Sequence, residues 1–139
     1  MADRWVSLLQ TACCGLVVLS ATAAVAADMT TDELRKFLVG RTYVLDVSVG
    51  GTLAKAGQAT LFFAPDGGVL NRIPNGKILQ GAWTIKDNTV CVDWKNQPPN
   101  PCSRYDRQGD TVTVINVSTG QPRGRIVKSA DGNVERLAP

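Results

Sequence analysis

The chain has 139 residues, a formal net charge of +3 and no histidine. That length holds one domain, and a mild positive balance spread along the chain implies solubility without the footprint of a nucleic-acid binder. Lack of histidine removes the usual general base, the Ser-His-Asp and Cys-His nucleophile systems, and every metal site built on imidazole.

The N-terminus reads as a secretory signal over residues 1–27. Met1-Ala-Asp-Arg4 gives a short positive start, residues 6–19 are mostly apolar, and Ala21-Thr-Ala-Ala-Val-Ala-Ala27 ends in small side chains. The apolar run falls short of the ~20 residues of a spanning helix and is interrupted by Gln10, Thr11 and Gly15, so cleavage rather than anchoring is expected. Cys13 and Cys14 lie in this segment without the surroundings of a lipoprotein signal and leave with it. The expected product is one periplasmic or secreted domain over residues 28–139, with no stable membrane anchor and with Cys91 and Cys102 as its cysteines. In an oxidising compartment an even pair predicts one structural disulfide.

Thr30-Thr-Asp-Glu33 is a capping box, and Leu34, Phe37 and Leu38 fall on one helical face before Gly40. A two-turn helix over residues 30–39 follows, too short to stand alone. The period then changes to two. Tyr43, Leu45, Val47 and Val49 alternate with more polar neighbours up to Gly50-Gly51. Similar runs are predicted at 58–64, 68–73, 78–86, 89–95, 103–107, 111–117, 123–129 and 134–137. Pro65-Asp66-Gly67, Pro74-Asn75-Gly76, Asp87-Asn88, Gln108-Gly109-Asp110, Gly120-Gln-Pro122 and Asp131-Gly132-Asn133 punctuate them with turn chemistry. Strands at this spacing predict an all-β fold, a small antiparallel barrel or bent meander sheet of about eight strands, with the helix over one end. Its expected core is Leu34, Phe37, Tyr43, Leu45, Leu61, Phe63, Trp83, Ile85, Val90, Val92, Trp94, Val112, Val114 and Ile126.

Among candidate sites, Gln97, Pro98, Pro99, Asn100 and Pro101 form a stretch that cannot be strand interior, because proline lacks a ladder donor. A Cys91–Cys102 bridge would close it into a rigid loop, worth about 3 kcal/mol by chain entropy. Trp83 and Trp94 are expected to face the interior from neighbouring strands. Arg123 and Arg125 are expected on one strand face, with Arg104 and Arg107 two strands earlier; together they could hold a carboxylate or phosphate. The simpler reading is a surface strand kept soluble by its charges. Asp46, Asp93, Asp106 and Glu135 are the carboxylates a hydrolase would need, but no spacing joins them. Asp-Gly-Gly at 66–68 and Asp-Gly-Asn at 131–133 lack the further acidic ligands of a calcium loop and read as hairpin turns. No catalytic residue, metal or cofactor is predicted.

Gly81-Ala-Trp83, Cys91-Val-Asp-Trp94 and the proline-rich return to Cys102 give a G-x-W…C…W…C pattern. By it the chain resembles small periplasmic β-domain proteins of alpha-class proteobacteria, a group that carries no assigned activity with it. The outline is also similar to lipocalin-like barrels, although a lipocalin has its G-x-W on the first strand. It is similar to periplasmic lysozyme inhibitors in architecture alone. The functional expectation is a non-enzymatic binding protein for a small apolar or anionic ligand, with Arg104, Arg107, Arg123, Arg125, Trp83 and Trp94 as candidate ligand residues. The alternative is an interaction module, or an inhibitor of a cell-envelope enzyme, that uses the 97–101 loop; a carboxylate-dependent hydrolase comes last.

Overall fold

A computed structural model describes residues 26–48 and 57–139 of the chain. The expected signal segment up to residue 25, with Cys13 and Cys14, lies outside the described residues, as do Val49 and the Gly50-Gly51 turn.

The described residues form nine strands and one helix. In chain order they are β1 (Ala27–Asp28), α1 (Thr31–Leu38), β2 (Arg41–Val47), β3 (Gln58–Phe63), β4 (Gly68–Arg72), β5 (Ile78–Lys86), β6 (Thr89–Trp94), β7 (Ser103–Gln108), β8 (Thr111–Asn116) and β9 (Pro122–Asp131). Strands β2 to β9 pair antiparallel with their chain neighbours, and β9 returns to β2, so eight strands close into a barrel. Strand β1 is an extra one, paired with β7.

Alternation decides the inside. Tyr43 and Leu45 on β2, Phe63 on β3, Val69 on β4, Trp83 on β5, Val90 on β6, Tyr105 on β7, and Val112 and Val114 on β8 are buried in one cluster. Every residue expected in the core belongs to that cluster or packs against it, and Met29, Leu38, Val69 and Tyr105 join them.

One end of the barrel is closed by α1. Thr30 caps it as the sequence implies: Glu33 N–H donates to Thr30 Oγ1, and Thr30 N–H donates to Glu33 Oε2 at 2.8 Å. The carboxylate accepts from both the Thr30 N–H and the Thr30 hydroxyl, and these two bonds hold the Glu33 carboxyl below its ordinary value. Leu34 and Leu38 are fully buried. The helix is tied down at the β5–β6 hairpin, where Asp87 and Asn88 both take positive φ, as a two-residue type I′ turn requires. Asn88 Oδ1 accepts from Thr31 N–H at 2.7 Å.

The 134–137 run is not a strand. Strand β9 extends to Asp131 along β2, and with β3 and β8 on their other sides neither of these strands offers an edge to a further one. The chain turns instead: Asn133 Oδ1 accepts from Leu137 N–H at 2.9 Å, and Asn133 Nδ2 donates to Leu137 O at 2.8 Å. Leu137 is buried, Thr42 Oγ1 donates to Gly132 O, and Arg72 bonds Glu135 at 3.1 Å. The C-terminal segment is thereby fastened to the outside of the barrel.

Closure is weakest between β6 and β7. Val90 opposite Ser103 is the one register pair between these strands among the described residues. Two devices reinforce the seam. The Cys91–Cys102 disulfide joins the strands beside that pair, with Cα atoms 4.2 Å apart. Strand β1 takes the edge of β7 farther along, at Asp106 and Arg107, and Met29 N–H donates to Tyr105 O at 2.8 Å.

Candidate functional site

An eight-stranded barrel has an interior that side chains can fill or that one small ligand can occupy. Which of these holds depends on the sizes of the inward residues along its length. Near α1 they are large. Phe37 packs on Tyr43 with centroids 4.8 Å apart, Tyr43 on Phe63 at 6.2 Å and Phe63 on Trp83 at 5.5 Å, while Tyr105 meets Phe37 edge-on at 6.4 Å. This aromatic layer is the floor. Toward the other end the interior positions include Ala59 and Ser103, and space opens.

The result is a cavity of about 270 Å³. Leu45, Ala59, Leu61, Val92 and Val114 supply apolar wall, with Phe63 and Tyr105 at the floor. Val47, Ile73, Pro74 and Asn100 mark the end away from the helix. Trp94 stands in the wall opposite Gly81 of β5. A Cβ at Gly81 would lie 2.5 Å from Asp93 O and 3.0 Å from the Trp94 ring, which gives the glycine of the G-x-W sequence a steric cause.

Arg123 is the one charged side chain among the described residues lining this cavity. A bulge puts it there. Val114 pairs with Gly124 and Ile115 with Pro122, so Arg123 is the extra residue of β9. Strict alternation would place Arg123 and Arg125 on one face. The bulge breaks that expectation: Arg123 reaches the cavity and Arg125 is exposed. The guanidinium donates from Nη1 to Asn100 Oδ1 at 3.0 Å and from Nη2 to Pro101 O at 2.8 Å. Its Nε is buried without a protein acceptor, and burial lowers the group's pKa, with Tyr105 opposing that shift. Arginine nonetheless stays charged. Asn71 Oδ1, on a cavity-lining residue of β4, is likewise buried without a donor.

The other candidates lie elsewhere. Trp83 is part of the floor layer at the helix end, its Nε1 donating to Ala64 O at 3.1 Å. Arg104 pairs with Asp28 at 2.6 Å, and Arg107 lies over the Phe37 ring, 5.2 Å from its centroid. The four arginines therefore do not converge. The 97–101 loop stands at the cavity end, where the disulfide and the two Arg123 bonds fasten it; Gln97, Pro98, Pro99 and Pro101 are exposed. Among the carboxylates, Asp46 accepts from Gln58, Glu135 bonds Arg72, Asp93 is exposed and Asp106 Oδ1 is buried without a partner. No three His, Cys, Asp or Glu side chains converge among the described residues.

Sequence reasoning missed Asn71, Ser103 and Tyr105. Tyr105 had a readable signal, a lone aromatic in Ser103-Arg-Tyr-Asp-Arg107, which period two turns inward together with Ser103. A larger hollow of about 500 Å³ lies along Gln80, Ala82, Asp93 and Lys95, but it is broad and open. The interior cavity is less open than that hollow and mainly apolar with a few polar groups, which gives it the character of a ligand site. Comparison with protein-family models, curated proteins and solved structures gave no match.

Proposed function

We propose that this chain is a non-enzymatic binding protein of the periplasm or extracellular space that takes one small, mainly apolar ligand into its barrel. The observation that supports this is the cavity: an apolar chamber of about 270 Å³ above an aromatic floor, with Arg123 and Asn71 as its under-satisfied polar groups. At about 30 Å³ per water, the space matches roughly nine waters, so the ligand has about ten non-hydrogen atoms. A buried polar atom without a partner costs about 1–3 kcal/mol. A ligand that satisfied one of them would recover part of that cost, and the apolar wall would favour the rest of the molecule. The disulfide, together with the lack of any helix among the described residues long and apolar enough to cross a membrane, is consistent with export.

A native mass spectrum of protein purified gently from its own host tests this. We expect a small-molecule adduct on the disulfide-bonded chain that is lost in Ala59→Phe, which fills the chamber. A bare wild-type chain, or an adduct indifferent to Ala59→Phe, would contradict it.

One observation favours a second reading as a protein-interaction module. The 97–101 loop is held at its start by Gln97 N–H donating to Trp94 O and at its end by Arg123 and the adjoining Cys102 bridge, yet presents exposed side chains, so it is preorganised for a partner at low entropic cost. A protein adduct that survives Ala59→Phe and disappears in Pro98→Glu would support that reading instead.

A further inference from the structure

The charge on Arg123 is the least compensated feature of the interior. The described ion pairs use Arg41, Arg72 and Arg104, and none includes Arg123. Its hydrogen-bond partners, Asn100 Oδ1 and Pro101 O, are neutral, and its Nε has none. A guanidinium drawn into an apolar wall loses hydration, which neutral carbonyls replace only in part. Holding the loop does not require a cation; a neutral donor would serve. The bulge at Arg123 nonetheless turns this residue, rather than a neutral neighbour, toward the chamber.

We propose that the ligand is a monocarboxylate whose head group meets the Arg123 guanidinium at the end of the barrel beside Asn100, and whose apolar body extends toward Phe63 and Tyr105. This rests on the reading of the cavity as a ligand site. The fork of N–H donors on arginine matches a carboxylate in plane and charge. One cation in a small chamber balances one negative charge, which selects a carboxylate over a phosphate dianion. An amine head would bring a second positive charge to the same place. The walls beyond Arg123 offer apolar carbon, so the body is hydrocarbon, aliphatic or aromatic, and it is short because the floor layer stops it. Because Nη1 and Nη2 also hold Asn100 and Pro101, an arriving acid touches the same group that fastens the 97–101 loop, so occupancy changes the loop's hold.

Titration calorimetry of the disulfide-bonded protein with octanoate, octan-1-ol and octylammonium tests the proposal. These probes share one chain and differ in head group. We expect octanoate to bind at least tenfold more tightly than octan-1-ol and octylammonium to bind more weakly than either. Arg123→Gln should remove the preference for octanoate over octan-1-ol, and Arg123→Lys should retain part of it. Should Arg123→Gln fail to fold, the wild type still decides: octanoate must weaken at least tenfold as pH falls through the titration of its own carboxyl, while octan-1-ol does not. Equal binding of octanoate and octan-1-ol would overturn the carboxylate assignment and leave the cavity as an apolar site. Failure of all three probes, and of their six- and ten-carbon homologues, would overturn both.

Discussion

Tyr43 and Tyr105 are the two tyrosines of the sequence, and both lie in the layer that separates the cavity from the helix. Tyr43 donates its hydroxyl hydrogen to Phe37 O. Burial pushes its phenol up to about 12 from an ordinary 10.0, and burial also raises that of Tyr105. The folded state thus favours the neutral phenols. Their contribution is fully present below pH 10 and is lost as pH rises toward the folded values, at up to about 1.4 kcal/mol per pH unit for each. Urea unfolding on either side of pH 10 should show that decline, with phenolate absorbance appearing together with unfolding. Phenolate in a still-folded protein near pH 10 would contradict this burial. Residue identities carried much of the interior. Trp83 and Trp94 were legible because each keeps period two with apolar residues of its own strand, Trp83 with Ile85 and Trp94 with Val90 and Val92. Arg123 was legible as a candidate but not as an inward one, because period two cannot reveal a bulge.

The element that decides the shape of the site is the β6–β7 seam. A single paired position, Val90 with Ser103, is little to close a barrel, and the covalent bridge beside it substitutes for missing ladder bonds. Replacing Cys91 and Cys102 together by serine should cost about 3 kcal/mol of stability, measured by urea unfolding. It should also speed amide exchange at Val90, Val92 and Ser103 before it affects β2 or β3. Uniform exchange changes around the barrel would show that the seam is not its weak line. Strand ends were readable from turn chemistry, as at Asp87-Asn88, where both residues take the left-handed conformation. Strand β1 was not readable, since two residues carry no period. Residues 134–137 misled because Val134 and Leu137 look like strand residues, although Asn133 closes them into a turn.

Over the whole molecule, the proposed binding site rests on an asymmetry along the barrel axis. Large aromatics and α1 fill one end; Ala59 and Ser103 leave room at the other. At Gly124 of β9 a Cβ would stand 2.7 Å from Asp46 O, so its bareness is needed for the approach of β2. The all-β class and the approximate strand number follow from turn spacing, whereas closure depends on register and shear. Two bulges on β9, at Arg123 and Val127, contribute to that register. They decide whether an arginine faces solvent or the cavity, and no local pattern announces them. Chemical-shift mapping with octanoate tests the placement of the site most directly. We expect perturbations at Leu45, Val92, Tyr105, Val114 and Arg123, from several strands but one interior. Perturbations confined to the outer hollow at Gln80, Asp93 and Lys95 would place binding outside the barrel and contradict it.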